Sequence, residues 1–426
     1  MTVGLPFLTA ADPPLVNEGS LDPLRLAPLA EALAEEVLPG ITNRMSRIRF
    51  VTATAVASAV TEGLEDFPPK DGVTTPYLAF EWHVVEAVAR KWSSLPPAAR
   101  EIPGNQKARN VVSRGEHLSA GTYLKTPKVF GFVGVYKRLA ANASIVDSQL
   151  ALGPNAAPLL RVWEKERGLD GLVDGRPGSP GAKFGRDLRS AVVDALRQGA
   201  VARTPGSWIW SRIVDSLRPD GAGPRERHVL KRLLLDVERP VRREAVELIA
   251  TLPPSGERES VRAMGPSASR DLRRRLKAIE AYERVAKLLV TSFDVARHLS
   301  TGGGLKPTTV DEIAGHPLVD RSSTALPAAF ERAMRCLSQL GVPALTFESN
   351  LGAFEERHEP SNFVRVLMEH HARVQAEKSA RSWFEEDAEG YFVRSPYVLH
   401  EEPVLDDSFV HPYRIGAIRS FIGDLR

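Results

Sequence analysis

A polar row near the end of the chain has the residue types for acid–base chemistry. Five of the ten histidines fall in the last seventy residues, namely His358, His370, His371, His400 and His411. His371, Gln375 and Lys378 follow one another at spacings of four and three, which places them on one face of a helix. On such a face the histidine could exchange a proton with a phosphodiester while the lysine stabilises negative charge. The row is therefore a candidate hydrolase site.

Two other interpretations of this region stay open. The same row is also typical of a solvated helix face. The fold could instead bring histidines and carboxylates together as a divalent metal site, from His400, Glu401, Asp406 and His411. The sequence contains no His-Glu-x-x-His and no Gly-x-Ser-x-Gly motif. We therefore assign no catalytic residue, no cofactor and no metal, and keep a metal-dependent nuclease or hydrolase as an alternative.

Positive charge is concentrated in the middle of the chain. The net charge is only +3, but residues 100–140 contain eight basic and two acidic residues, and residues 181–243 contain fourteen and seven. The ends are acidic, with one basic against six acidic residues in 1–40 and four against nine in 385–426. A basic centre attracts phosphate backbones by counterion release, whereas acidic ends can shield it or face another protein. A GC-rich genome would explain the excess of arginine but not this segregation.

The residues predicted to contact nucleic acid are cations with one aromatic side chain among them. The primary set lies on the second and third helices of the region described next and just before the third: Lys107, Arg109, Lys125, Lys128, Tyr136, Lys137 and Arg138. A secondary surface is predicted from the arginines of residues 225–243 and 270–277, in particular Arg239, Arg242, Arg243, Arg273 and Arg274. Such a mixture suits phosphate contact and some base contact.

The elements that would present the primary set have the order of a winged helix-turn-helix. Helices are predicted over 75–92, 106–118 and 128–142, followed by short extended pieces at 144–147 and 150–153 and then another helix. In that arrangement the third helix enters the major groove and the hairpin touches the backbone. Gly131 and Gly134 each lower helix propensity by about 1 kcal/mol, so the third helix could begin only at Val133. An ordinary helical bundle with a chance hairpin is the alternative.

The whole chain is predicted to be mainly α and multi-domain. We expect an N-terminal helical segment (1–74), the winged-helix-like module (75–168), a glycine- and proline-rich linker (169–185) and a helical domain with small C-terminal α/β elements (186–426). A helix over Arg270–Ser300 has the strongest apolar stripe. Short strands are predicted at 391–393 and 397–399. The single cysteine and the lack of any apolar run long enough to cross a bilayer fit a cytoplasmic protein with no membrane partner.

Three short runs within residues 1–167 stand out beside these elements. They are Leu38-Pro39-Gly40-Ile41-Thr42 followed by Arg44, Arg47 and Arg49; Phe130-Gly131-Phe132 before Tyr136; and Leu159-Leu160-Arg161-Val162-Trp163. Together they resemble uncharacterised bacterial proteins of antiviral defence loci. The resemblance implies a bacterial, cytoplasmic accessory protein that acts near nucleic acid and alongside partner proteins, and it carries over no functional residue.

The function predicted from these observations is noncatalytic binding of nucleic acid, in the first place duplex DNA, within a multiprotein bacterial system. Besides the hydrolase, a second alternative is a protein–protein scaffold. Its acidic ends would dock partner subunits, and its basic middle would have no role in binding.

Overall fold

The computed structural model describes residues 22–204, 206–235, 238–302 and 306–426. Within them the chain is mainly helical, as predicted, with 18 α-helices and a single two-stranded sheet. None of the described helices is both long and apolar enough to traverse a lipid bilayer. The helices are α1 (Ala27–Val37), α2 (Phe50–Thr61), α3 (Pro76–Arg90), α4 (Asn105–Ser113), α5 (Pro127–Phe130), α6 (Phe132–Asn142), α7 (Ala156–Glu166), α8 (Pro180–Gln198), α9 (Trp208–Leu217), α10 (Pro224–Leu234), α11 (Pro240–Thr251), α12 (Glu257–Met264), α13 (Arg270–Gly302), α14 (Val310–Ala314), α15 (Pro317–Leu337), α16 (Val342–Leu351), α17 (Pro360–Glu377) and α18 (Ile415–Asp424).

The chain forms two compact units, each built from separated stretches of sequence. Unit 1 contains the described residues up to 36 together with 256–413, and unit 2 contains 37–255 together with 414–426. The boundaries predicted at 74, 168 and 185 all fall inside unit 2. A sequence pattern cannot reveal this arrangement, because the stretches that form one unit are separated by more than 150 residues of intervening sequence.

Two buried helices, α2 and α3, form the interior of unit 2. After Phe50, α2 consists of small and β-branched residues, and nearly all of them are buried. Three of its hydroxyls are paired in the core, since those of Thr54, Ser58 and Thr61 donate to the carbonyl four residues earlier at 2.8, 3.1 and 2.8 Å. α6, α7 and α8 pack against α2, while α4, α8 and α9 pack against α3.

The predicted linker is not a separate connection between domains. Its last six residues belong to α8, which begins with Pro180 in the first position and with the Ser179 hydroxyl accepting from the Ala182 N–H at 3.2 Å. Gly181 serves close packing, because a Cβ atom there would lie 1.9 Å from the Leu169 carbonyl oxygen. The glycine and proline content of this stretch therefore reflects a tight turn and a helix start within unit 2.

The predicted third helix of the winged-helix-like module is divided at Gly131. The backbone of Gly131 is extended, and α5 and α6 lie on either side of it. Beyond α6, the predicted hairpin is a single bridge between Val146 and Leu152, supported by a hydrogen bond from the Gly153 N–H to the Ile145 carbonyl at 2.8 Å. The helices thus follow one another in the predicted order, but the third helix is broken at Gly131.

The 33-residue helix α13 is the longest element of unit 1 and matches the helix predicted over 270–300. At 1.5 Å per residue it is roughly 50 Å long. The run Gly302-Gly303-Gly304, which is expected to end this helix, lies partly outside the described residues. The apolar periodicity of residues 324–340 predicts a further helix there. The observed helix, α15, packs along α13 and is longer, since it begins at Pro317 and holds Pro327 in its interior. The short helices α12, α14 and α16 were not predicted.

The sheet of unit 1 consists of β1 (Phe384–Glu386) and β2 (Tyr391–Val393), paired antiparallel with Phe384 opposite Val393. The prediction of a strand at 391–393 is confirmed. The strand predicted at 397–399 is wrong, because residues 395–397 form a 3-10 turn and the partner of β2 is β1. This turn places the Tyr397 ring parallel to the Trp383 ring, with the centroids 4.3 Å apart.

Candidate nucleic-acid interface

One exposed segment of unit 2 combines positive charge with large apolar side chains. We call residues 125–130 the α5 segment. Lys125 and Lys128 are exposed, and the neighbouring Val129 and Phe130 are 42% and 48% exposed. Within the described part of the chain, neither lysine lies within ion-pair distance of a carboxylate. Exposed apolar side chains beside unpaired cations are typical of a surface that binds another molecule.

A third cation reaches this segment from a distant part of the sequence. The guanidinium carbon of Arg44 lies 4.5 Å from the centroid of the Phe130 ring, and its Nη1 donates to the Val129 carbonyl at 3.4 Å. The cation–π contact holds the ring against a positive charge. Arg44 and Phe130 entered the sequence analysis only through the resemblance. The two lysines close to Val129 and Phe130 within residues 125–130 were a signal that could have marked this segment.

A buried carboxylate fixes the position of the α5 segment. Glu81 of α3 is 2% exposed, and its two oxygens accept hydrogen bonds from the Val133 N–H at 2.9 Å and the Tyr123 hydroxyl at 2.8 Å. A Cβ atom at Gly131 would lie 2.0 Å from Glu81 Oε1, and one at Gly134 would lie 2.3 Å from the Lys128 carbonyl oxygen. Both glycines therefore allow α5 to lie directly on the first turn of α6, which breaks the predicted continuous helix.

Glu81 also makes the stability of unit 2 depend on pH. Burial raises the pKa of Glu81 from 4.5 to about 7. The folded protein keeps this proton while the unfolded chain releases it. The stability that Glu81 contributes is therefore fully present below pH 4.5 and is lost as the pH rises to about 7. We expect Glu81→Gln to increase the free energy of unfolding at pH 8 by roughly 3 kcal/mol and to change it little at pH 4.5.

The measurement for Glu81→Gln is the difference in unfolding free energy between variant and wild type across this pH range. The difference is needed because His83, in the same helix, acts in the opposite direction. Burial lowers the pKa of His83 to about 4, so its contribution is lost as the pH falls from 6.5. An equal destabilisation by Glu81→Gln at all pH values would contradict the buried-carboxylate interpretation.

The remaining predicted cations of the primary set lie on α4 and α6 of the same unit. Lys107 and Arg109 are exposed on α4, and the Arg109 guanidinium carbon lies 4.4 Å from the centroid of a Trp92 ring. On α6, Lys137 is half-buried and Arg138 is exposed. These side chains remain predicted contacts.

Tyr136 does not belong to the surface. It is fully buried, and its hydroxyl accepts hydrogen bonds from the Ser46 and Arg47 N–H groups at 2.9 and 2.8 Å. Its ring lies 5.1 Å from that of Phe50. The prediction that Tyr136 contacts nucleic acid is therefore wrong, because its side chain holds the chain before α2 against α6.

The predicted secondary surface is not continuous at the start of α11. Arg242 is fully buried and donates to the Leu233 and Pro39 carbonyls at 2.9 and 3.4 Å, so it is unavailable to a nucleic acid. Arg243 is exposed but forms an ion pair with Glu247 at 3.0 Å. Arg239 is half-buried. Carbonyl oxygens accept from both terminal nitrogens of the Arg242 guanidinium, which explains how an apparent surface cation became part of the core.

Arg273 and Arg274 lie in unit 1, at the start of α13. Arg273 donates to the carbonyls of Gly265, Pro266 and Ala268 at 2.9, 3.1 and 2.7 Å, and Arg274 forms an ion pair with Asp271 at 2.8 Å. The first arginine therefore holds the turn between α12 and α13. Neither is part of the surface described for unit 2.

The polar row of α17 is structural. His371 is 1% exposed; its Nδ1 lies 2.9 Å from the Pro23 carbonyl oxygen, and its Nε2 accepts from the Trp383 N–H at 3.0 Å. Gln375 donates to the same Pro23 carbonyl at 3.4 Å, and Lys378 donates to the Asp22 carbonyl. Burial lowers the pKa of His371 to about 4. With both ring nitrogens engaged, the row is neither a solvated face nor an accessible acid–base site.

The residues considered for a divalent metal are not brought together. His411 Nδ1 lies 2.8 Å from Glu283, and Asp406 forms an ion pair with Lys287 at 2.6 Å. Among the residues that the structure describes, no three histidine, cysteine, aspartate or glutamate side chains lie close enough to hold a metal ion.

Comparison with known proteins adds no further information on this interface. The sequence matches no protein-family model, and neither the curated proteins nor the solved structures give a significant match. The assignment of a function therefore depends on the geometry of the described residues.

Proposed function

We propose that the chain binds nucleic acid, in the first place duplex DNA, without catalysing a reaction on it. The observation that carries the proposal is the α5 segment, where the exposed Lys125 and Lys128 lie close in sequence to the half-exposed Phe130 and Arg44 packs against its ring. Unpaired cations gain affinity for a polyanion by releasing its counterions. A large apolar side chain left in water is unfavourable by itself, so its place among three cations favours a contact surface.

Each side chain of the segment has a role in this proposal. The lysines act as point charges on phosphate groups. Phe130 and Val129 provide the apolar contact, either as a wedge between base steps or against a base edge. Arg44 is held by Phe130 and can reach a phosphate on the same strand. Phosphate contacts supply affinity and register, whereas contacts by the apolar pair supply any base preference.

The winged-helix-like arrangement is part of this proposal, but the main contact differs from the one predicted for a winged helix. The short hairpin carries Asp147, and residues 143–155 contain no lysine or arginine, so it is poorly suited to a phosphate backbone. The α6 face that holds Phe132 and Tyr136 is buried. We therefore assign the main contact to the α5 segment, with Lys137 and Arg138 extending it along α6.

Partner proteins are also part of the proposal, in keeping with the bacterial defence setting that the resemblance implies. Several acidic residues near the C-terminal end of unit 1 are exposed, namely Glu386, Asp387, Glu389, Glu401 and Glu402. A basic subunit would find complementary charge there. We do not extend the hydrolase alternative, because the side chains it requires are buried and bound to backbone carbonyls.

The test of the proposed function is salt-dependent binding to a labelled duplex, measured by fluorescence anisotropy. If about three phosphates are neutralised, the logarithm of the affinity should fall with the logarithm of the salt concentration with a slope of about −2.7. Raising the salt from about 50 to about 200 mM should then weaken binding roughly 40-fold. Gel analysis with Mg²⁺ should show intact DNA. No binding to duplex or single-stranded DNA or RNA at the lower salt concentration would refute the proposal.

A further inference from the structure

A second cationic site lies in unit 1, between the start of α13 and the end of α15. There an open cavity of about 510 Å³ is lined by Arg270, Arg273, Arg274, Lys277, Cys336 and Gln339. Its one carboxylate is that of Asp271, which forms ion pairs with Arg274 and with Arg275. Four cations thus share one wall with a single, already paired anion.

The arrangement of these cations on α13 is electrostatically unfavourable without a counter-charge. Arg270 is three residues before Arg273 and four before Arg274, and Lys277 follows them by four and three. Like charges at these spacings on a helix repel one another. In the described part of the chain, Arg270 and Lys277 form no ion pair. An anion bound between these side chains would offset the repulsion.

Two of the arginines are already prepared to bind an anion. The three carbonyls that accept from Arg273 fix its guanidinium while leaving its Nη1 without a protein acceptor among the described residues. The Arg274 guanidinium is held in a similar way by its ion pair with Asp271, and its side chain remains 40% exposed. A fixed donor loses less conformational entropy when a ligand binds.

We propose that this cavity binds a small, multiply charged phosphate compound, through a chain of phosphate groups. Its volume falls in the range of small-molecule sites, about 300–1,000 Å³. The wall offers guanidinium and ammonium groups but no aromatic side chain for a base, so the phosphates are the recognised part. The site is separate from the nucleic-acid surface of unit 2, and the proposal does not depend on that function.

Cys336 provides a reporter inside the cavity, because it is the only cysteine in the chain and is half-buried. The experiment follows alkylation of Cys336 in the full-length protein by iodoacetamide, a neutral reagent, while tripolyphosphate is added at constant ionic strength. Alkylation should slow saturably, by about ten-fold at a concentration ten times the Kd. An unchanged rate, or a decrease that potassium chloride alone reproduces, would overturn the proposal.

Two variants test where on the protein tripolyphosphate binds. Lys277→Glu should weaken the protection of Cys336 at least about ten-fold, and it should also raise the melting temperature of the ligand-free protein, because it removes like-charge repulsion. Full protection in this variant, or a lower melting temperature, would count against the site. The control Lys125→Glu/Lys128→Glu should keep full protection, which separates this cavity from the surface of unit 2. Protection that disappears in the control instead would place the ligand on that surface and refute the proposal.

Discussion

Replacing both Lys125 and Lys128 by glutamate is expected to weaken binding of duplex DNA by about 60-fold at 0.1 M salt. Each phosphate contact contributes about −0.9 to the slope of log affinity against log salt concentration. Losing both lysine contacts should therefore make this slope shallower by about two. The folded state should be unaffected, because both side chains are exposed and unpaired within the described residues. Anisotropy titrations at several salt concentrations measure the affinity and the slope together.

The matched control is Lys70→Glu/Lys165→Glu, which changes the charge of unit 2 equally at two other exposed lysines. It should reduce the affinity only slightly. Phe130→Ala tests the apolar contact separately from charge. We expect it to lower the affinity for DNA about ten-fold and to leave the slope of the salt dependence unchanged. If the control and the Lys125/Lys128 variant weakened binding equally, the interaction would depend on net charge rather than on the α5 segment.

Glu226→Ala is expected to destabilise unit 2 by about 3–5 kcal/mol. Glu226 is fully buried and accepts from Arg49 Nε at 3.0 Å, and Arg49 is 3% exposed. Arg49 also donates to the Ser216 carbonyl at 2.8 Å, which accepts from the Trp163 indole as well. Without the carboxylate, a guanidinium would stay buried with no counter-charge, and the loops that its donors hold would lose their anchor.

Urea unfolding followed by tryptophan fluorescence measures this loss, since five of the six tryptophans lie in unit 2. Glu247→Ala is the control, because it removes an ion pair with Arg243 whose partners are about half exposed, and its cost should be below about 1 kcal/mol. The double variant Arg49→Met/Glu226→Leu should recover much of the stability. If Glu226→Ala and Glu247→Ala lowered the free energy of unfolding equally, the buried pair would contribute no more to stability than a surface pair.

Local sequence signals were sufficient to predict the helical class and many of the helix boundaries. Thr75 before Pro76 marks the start of α3, Gly199 marks the end of α8, and the apolar stripe of α13 is visible without any structure. These features are encoded within one or two helical turns, where capping, proline geometry and periodicity act. The prediction failed where a glycine packs closely, as at Gly131 and Gly181, because the required neighbour lies elsewhere in the sequence.

Composition and periodicity are enough to predict that this protein is mainly helical and that its positive charge is unevenly distributed along the chain. Which polar side chains are accessible depends on how distant parts of the chain fold together. His371 reaches a carbonyl 348 residues away, Arg242 one 203 residues away, and Tyr136 two N–H groups about ninety residues away. A long polar side chain can satisfy its hydrogen bonds either in water or on a distant backbone, and its residue type does not distinguish the two. The exposure of Phe130 beside Arg44 was decided in the same way, by contacts between distant parts of the chain.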